Sequence, residues 1–367
     1  YRLTSLVWWL SLYAQMRVGP KPTGCQVWDD CRYNQIMSEF LLPFVNDWAR
    51  WSTIFTDVSV WRPIIERVWR MDGQLRHASG LERPTVVAGG YPGTCAVFVV
   101  DDVAVIKFFP PMVAHDIERE LAAYRLLHDR LPKMPRLLGY GRYQDRIEWP
   151  YLVVSFLPGE AWREAGRRVP PIQAAGIMTE LGHIIRATHD IRLPSSGSWP
   201  AASAWELLVQ SRLARAGDDL RHGTHLSEGI IEEIEFMLLR WKWHGESVHL
   251  SHSDLTEDHL LIAESHGNWS ITGLIDWADA EVGPRVYDWV ALWFSICRRE
   301  PALFRAFLRG YGAPPEVDVR QLAAMTFLHR FGANIVADTL SPEEQRAVGS
   351  LTELNHILFG ALASSNQ

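Results

Sequence analysis

The stretch His252-Ser253-Asp254-Leu255-Thr256-Glu257-Asp258-His259, with Ile275-Asp276-Trp277 at the end of the next apolar run, decides how this chain is read. Leu260 to Glu264 has the composition of a short apolar strand, His266-Gly267-Asn268 of a tight turn, and Trp269 to Ile275 of a returning strand. A hairpin of that length brings its outer ends together. Asp254, just before the first strand, and Asp276, just after the second, are therefore expected within reach of one shared ligand. Two converging carboxylates repel unless a cation sits between them, and an oxygen-rich pair suits Mg²⁺ bound to the phosphates of a nucleotide. Taken alone, Asp254 also fits a turn or cap residue, and it is the spacing to Asp276 that favours chemistry.

The upstream half supplies a second charged group in an apolar setting. Val86 to Gly90, a turn through Tyr91-Pro92-Gly93-Thr94, and then Cys95 to Val100, Asp101-Asp102 and Val103 to Phe109 read as strands joined by turns. Lys107 lies inside the last strand, where it must either snorkel outward or pair with an acid, because an isolated buried charge is costly. Ala114 to Asp129 reads as a helix carrying Glu118 and Glu120 near its start. Glu120 is the expected partner of Lys107 and Glu118 the reserve, although acids there also complement a helix dipole. Gly90 and Gly93 are candidate nucleotide-binding positions in a turn that lacks the full G-x-G-x-x-G pattern and on its own more often marks an ordinary hairpin.

In its spacing the His252–His259 loop resembles a protein-kinase-type catalytic loop, with an Asp for the acceptor hydroxyl, a metal ligand five positions later and a second metal-binding Asp after a hairpin. Together with Leu274-Ile275-Asp276-Trp277-Ala278-Asp279-Ala280 and Gly283-Pro284-Arg285-Val286-Tyr287-Asp288-Trp289, the loop resembles the aminoglycoside phosphotransferase family of small-molecule kinases. The resemblance spans roughly residues 80 to 345. Val105 to Phe109, Pro135 to Gly139, Trp149 to Ser155, Gly159 to Arg163 and Thr326 to His329 are most similar to its hygromycin B phosphotransferase branch. It implies an α+β, two-lobed protein-kinase-like fold with a small antiparallel β N-lobe, a hinge near residue 156 and a larger, mainly helical C-lobe. It also implies Mg²⁺ as cofactor and ATP or GTP as phosphoryl donor. The implied catalytic residues are Asp254, as base or hydroxyl-orienting carboxylate, and His252, which orients the loop. Lys107 would contact the phosphates, Ser155, Phe156 and Leu157 would hold adenine through their backbone, and Asp288 would brace the loop. Asp276 and His259 would be the metal ligands. His259 stands where the family usually has Asn, and imidazole is a poorer Mg²⁺ ligand than an amide oxygen, so Asp258 or a water is an alternative.

Composition agrees with an ordinary globular protein: 367 residues, 47% hydrophobic, formal charge −7. The acidic balance disfavours nucleic acid as a partner and mildly favours a cationic small-molecule acceptor. Cys25, Cys31, Cys95 and Cys297 show no metal or disulfide-scaffold spacing, which makes a reducing cytoplasm the expectation. The apolar run Leu3 to Ala14 is shorter than the roughly 20 residues that span a bilayer, so no membrane partner is expected. The expected organisation is a Trp-rich extension over 1–75, carrying Trp8, Trp9, Trp28, Trp48, Trp51, Trp61 and Trp69 and either capping the fold or ending an upstream domain, then an N-lobe over 76–156 and a C-lobe over 157–367. Helical spacing marks Glu39 to Trp51, Pro63 to Met71, Pro171 to His189, Ala204 to Ala216, Ser227 to Trp243, Val286 to Arg299, Pro301 to Tyr311 and Val319 to Ala337. Asp279 and Glu281 are candidate acids for substrate ammonium groups, with plain loop solvation an equal alternative. The expected activity is transfer of a nucleotide γ-phosphoryl to a hydroxyl of an aminoglycoside-like acceptor, as in antibiotic resistance. The competing readings are a metabolic kinase for choline-like or sugar-like acceptors and a nucleotide-binding pseudokinase module.

Overall fold

The structure, a computed structural model, describes residues 40–91, 93–194, 203–243, 245–314 and 317–364. The expectations for Leu3 to Ala14, for Trp8, Trp9 and Trp28, and for Cys25 and Cys31 lie outside the described residues. The chain forms two compact units that divide between Phe156 and Leu157, with residues 122–134 joining the second.

In the first unit, short helices α1 (Trp48–Trp51), α2 (Val58–Met71) and α3 (Gly73–Ser79) precede the sheet. The helix expected from Glu39 begins only at Trp48. Upstream, the Leu41 and Leu42 amides donate to the Asp145 carboxylate (3.2 and 2.7 Å), while Asp47 caps the shortened helix by accepting from Arg50 N. The next helix starts earlier than expected because Asp57 caps it, and it continues through Pro63.

Strands β1 (Val87–Gly89), β2 (Ala96–Val100) and β3 (Ala104–Phe108) lead to helix α4 (Asp116–Leu127), and β4 (Leu137–Gln144) and β5 (Glu148–Ser155) complete an antiparallel sheet of order β1-β2-β3-β5-β4. Both β2 and β3 alternate buried and half-buried residues, the period of a sheet with one face in a core. They turn on Asp101 and Asp102, each at φ +53°, the left-handed pair that a type I′ hairpin needs and aspartate tolerates.

Tryptophans of the extension cover the sheet. Trp61 is fully buried, its ring 4.6 Å from Phe108 and 5.4 Å from Trp149, and Trp51 stacks on Trp149 at 5.7 Å. Residues from Leu42 to Leu75 share one core with Phe98, Ile106 and Val153 of the strands. Burying a Trp removes roughly 150–250 Å² from water, about 4–6 kcal/mol of transfer free energy before ordering costs. Stripped of these helices, the sheet would expose that face.

The second unit opens with β6 (Glu160–Ala161), α5 (Trp162–Ala165) and the long α6 (Pro171–His189). Helices α7 (Ser203–Leu213), α8 (Ala216–Gly223) and α9 (Glu228–Arg240) lead to β7 (His249–Ser251). The hairpin β8 (Leu260–Ser265) and β9 (Asn268–Leu274) turns on His266 and Gly267, both left-handed, and pairs with β6, while β10 (Glu281–Gly283) pairs with β7.

Helix α10 (Val286–Ala291) passes into a π-helical turn, Leu292–Ile296, where one helix to Arg299 was expected. The wider turn lets Ser295 Oγ accept from Glu257 N at 2.9 Å and the Ile296 carbonyl accept from Trp162 Nε1 at 3.1 Å. Helix α11 (Pro301–Tyr311) lies so close to α6 that a side chain at Gly182 or Gly310 would collide with the opposing backbone. The helix expected over Val319 to Ala337 is two, α12 (Val319–Leu328) and α13 (Gly332–Thr339), broken at His329, whose ψ is 144°. Helices α14 (Pro342–Ala347) and α15 (Leu351–Ser364) close the described chain. Among the described residues, no helix is long and apolar enough to cross a membrane.

Candidate active site

The His252–His259 loop leaves β7 and enters β8, and the β8–β9 hairpin returns to Asp276 as the spacing required. Two residues bend the backbone sharply: Ser253 at φ +66° and Asp276 at φ +63°. A non-glycine residue there costs about 1–3 kcal/mol and persists only where its surroundings hold it.

Asp288, fully buried on α10, holds the first bend. Its Oδ1 accepts from Ser253 N at 2.7 Å and its Oδ2 from His252 N at 3.1 Å. His189 Nε2 lies 2.9 Å from the same Oδ2, and His189 Nδ1 lies 2.8 Å from the Tyr311 hydroxyl. Burial alone pushes the Asp288 carboxyl up, but the hydrogen bond and charge of His189 and the Ser253 amide outweigh it and leave it lowered.

His252 ties the loop to the hairpin's far end. Its Nδ1 accepts from Asp254 N at 3.3 Å and its Nε2 donates to the Ile275 carbonyl at 2.9 Å. Burial pulls its pKa down to about 4. Both ring nitrogens are engaged in placing backbone, which makes His252 a positioning residue.

Asp254, His259 and Asp276 converge. His259 Nδ1 meets the Asp254 carbonyl at 2.8 Å and its carboxylate at 3.4 Å, and Nε2 lies 3.7 Å from Asp276 Oδ2. Burial raises the Asp254 carboxyl; His259 and Arg330 oppose the rise, and Asp279 and Asp276 add to it. Burial would lower His259, yet Asp254 and Asp276 outweigh it and raise it.

The pair also fits a cation. With Nδ1 donating to the Asp254 carbonyl, a neutral His259 carries its lone pair on Nε2, 3.7 Å from Asp276 Oδ2, so these two residues would hold a divalent cation. Asp258, the alternative ligand, is occupied: Arg163 grips both of its oxygens at 2.5 and 2.6 Å. Among the described residues, no three or more His, Cys, Asp or Glu form a self-sufficient metal cage.

The acids that follow are also paired. Arg330 Nη1 lies 2.5 Å from Asp279 Oδ1 and 3.7 Å from Glu281 Oε1. Neither acid stands alone in solvent, and neither is offered freely to an ammonium group.

In the first unit, Lys107 faces away from the core on β3, and its Nζ is 2.9 Å from Glu120 Oε2 and 5.2 Å from the Phe109 ring centroid. Glu118 meets Arg142 at 3.5 Å instead. Gly90 N donates to the Val97 carbonyl at 2.8 Å, where any side chain would press on Val97, whereas Gly93 has open space around it. The Ser155 amide donates to the Arg136 carbonyl at 2.8 Å and the Phe156 amide to the Val103 carbonyl at 2.9 Å. Their N–H groups are spent within the protein, and Leu157 N makes no such bond among the described residues.

A family described as "APH: Phosphotransferase enzyme family" matches residues 85–325, nearly two-thirds of the sequence. This chain belongs to that phosphotransferase family. Solved structures agree on the fold. The GDP complex of wild-type aminoglycoside 2'-phosphotransferase-IIIa matches with a TM-score of 0.58 at 16% identity, over 82% of this chain and 99% of that one. A thermostable mutant of aminoglycoside phosphotransferase APH(4)-Ia in its apo form gives 0.53 at 14% identity, over 80% and 99%. The streptomycin-ATP-APH(2")-IIa ternary complex gives 0.51 at 16% identity, over 77% and 97%. At such identities the likeness establishes a kinase-like fold for this phosphotransferase, an antiparallel-sheet unit and a helical one.

Sequence reasoning missed His189, Tyr311, Arg163 and Arg330. Each acts through a partner far away in sequence, and although Arg163 closes the Gly159–Arg163 stretch, nothing local marks any of the four as a site residue.

Proposed function

We propose that this phosphotransferase moves the γ-phosphoryl group of ATP or GTP to a hydroxyl of a small aminoglycoside-like acceptor. The convergence of Asp254, His259 and Asp276 on one braced loop carries the reading. The GDP, ATP and streptomycin named for structures of the same fold support the choice of donor and acceptor. Asp254 orients the acceptor hydroxyl and takes its proton as the oxygen–phosphorus bond forms and the bond to the β-phosphate oxygen breaks, releasing the nucleoside diphosphate. A half-buried carboxylate with a raised pKa suits that task. Asp276 and His259 would hold Mg²⁺, which when bound offsets charge on the phosphates. Lys107, oriented by Glu120, contacts the α- and β-phosphates, and adenine or guanine is read beside Leu157, with its N–H as the donor in place of those of Ser155 and Phe156.

Hygromycin B belongs in the acceptor set because of the motif resemblance of Val105 to Phe109 and Thr326 to His329. The test is Mg²⁺-dependent turnover of ATP and GTP with aminoglycosides including hygromycin B, macrolides and choline-like amines, with Asp254→Ala as control. Acceptor-dependent phosphorylation lost in the variant is the expected result. Nucleotide binding without turnover on any acceptor would point to a pseudokinase module.

A further inference from the structure

Arg330 stands in the break between α12 and α13, where a single helix was expected. Its guanidinium reaches Asp279 and Glu281 and lies 5.4 Å from the Phe331 ring centroid. The backbone beneath it is anchored. Arg212, itself held by Asp219 at 2.8 Å, donates to the Leu328 carbonyl at 3.0 Å and the His329 carbonyl at 3.3 Å, while Arg330 N faces the Tyr287 hydroxyl at 3.5 Å. His329 is fully buried against Tyr287, ring centroids 4.4 Å apart. All of these residues belong to the second unit, and the charge of Arg330 is felt at Asp254.

An acidic surface behind a catalytic Asp would attract polycations, because each ammonium group gains from each unpaired carboxylate. Here a guanidinium already occupies the two acids. It is planar, always charged and fixed through its own backbone, so an incoming ammonium group must compete with a partner that loses little entropy by staying. We propose that Arg330 is a specificity-determining residue, a tethered guanidinium that offsets one of the two charges of Asp279 and Glu281 and selects a hydroxylated glycoside with few ammonium groups near its reactive hydroxyl. The inference rests on the acceptor class proposed above and narrows it.

The test uses the full chain and a graded set of aminoglycosides carrying few to many amines, with N-acetylated counterparts. The readout is the ratio of kcat/KM for highly charged over weakly charged acceptors. Arg330→Met, which keeps bulk, is expected to raise that ratio about tenfold, the size of one partly screened charge pair, mainly through KM. Arg330→Lys should keep the wild-type ratio, and adding Asp279→Asn and Glu281→Gln to Arg330→Met should bring it back down. An unchanged ratio in Arg330→Met, or an equal loss of kcat on every acceptor, overturns the proposal. If the wild type phosphorylates no acceptor, the acceptor assignment fails first. Calorimetric binding of the same acceptors then decides the inference, and a charge preference that Arg330→Met does not shift sinks it.

Discussion

Two His–Asp pairs flank the same loop and have opposite electrostatics. Beneath it, fully buried Asp288 receives two backbone amides and His189 at 2.9 Å, and its carboxyl is lowered. On the loop itself, Asp254, 18% exposed, meets His259 only at 3.4 Å through its carboxylate, and its carboxyl is raised. Burial raises both groups. Hydrogen bonds aimed at the charged form decide which one stays a stable anion and which one keeps affinity for a proton. The brace is satisfied and the proposed base is not, a division that suits a site whose backbone must stay fixed while a proton moves.

Neutralising each acid should break the comparison most sharply. Asp254→Asn is expected to lower kcat about 100- to 10,000-fold, the usual contribution of a positioned base, while leaving the melting temperature unchanged or higher, because a poorly compensated, half-buried charge is removed. Asp288→Asn should instead destabilise the fold by about 3–5 kcal/mol, since it leaves the Ser253 bend and His189 without their anion. Paired thermal melts and single-turnover rates check both. Loss of stability in the first variant with none in the second would invert the assignment.

Much of the reactive side was legible in the sequence. The β8–β9 hairpin announced itself through two short apolar runs on either side of the His266-Gly267-Asn268 turn, and a hairpin forces its ends together, which placed Asp254 near Asp276 without any tertiary knowledge. The brace was legible only through the family motif around Tyr287-Asp288-Trp289. Its other partners, His189 and Tyr311, sit on two helices whose approach depends on Gly182 and Gly310, and no local pattern reports it. The break at His329 was invisible for a related reason. Apolar spacing runs on through Val319 to Ala337, while the carbonyls that the break exposes are satisfied by Arg212, from a distant helix, at Leu328 and His329 and by the Gly332 amide at His329. Ser341 to Glu344 forms a capping box that starts α14, an S-x-x-E pattern the sequence reading did not use.

A milder probe of the brace is acid. His252 is pulled down to about 4 and His329 to about 3 by burial, so both are neutral in the fold and take up a proton near pH 6.5 once unfolded. The unfolded state then binds more protons below that pH, and stability present above pH 6.5 is lost as pH falls towards 4. At pH 5 the linkage amounts to about 2 kcal/mol for each ring, several degrees in melting temperature. Asp254 acts in the opposite sense, because its raised carboxyl is protonated more readily folded than unfolded. Melts from pH 7.5 to 4.5 should therefore fall with pH in the wild type and fall less in His329→Gln; a flat wild-type profile would mean that the rings are not held neutral.

The smallest expected effect falls on the second His–Asp pair and asks whether His259 serves Asp254 as His189 serves Asp288. If it does, His259→Asn should cost as much turnover as a loss of loop geometry. The distances argue otherwise: His259 bonds the Asp254 carbonyl at 2.8 Å, an acceptor that an Asn amide can also reach, and lies 3.7 Å from Asp276, where an amide oxygen is the better Mg²⁺ ligand. Turnover in His259→Asn should be kept or raised, with a lower Mg²⁺ concentration at half-maximal rate. A Mg²⁺ titration of kcat measures this. Complete loss of turnover would remove His259 from the metal site and make its contact with Asp254 the reason it is there.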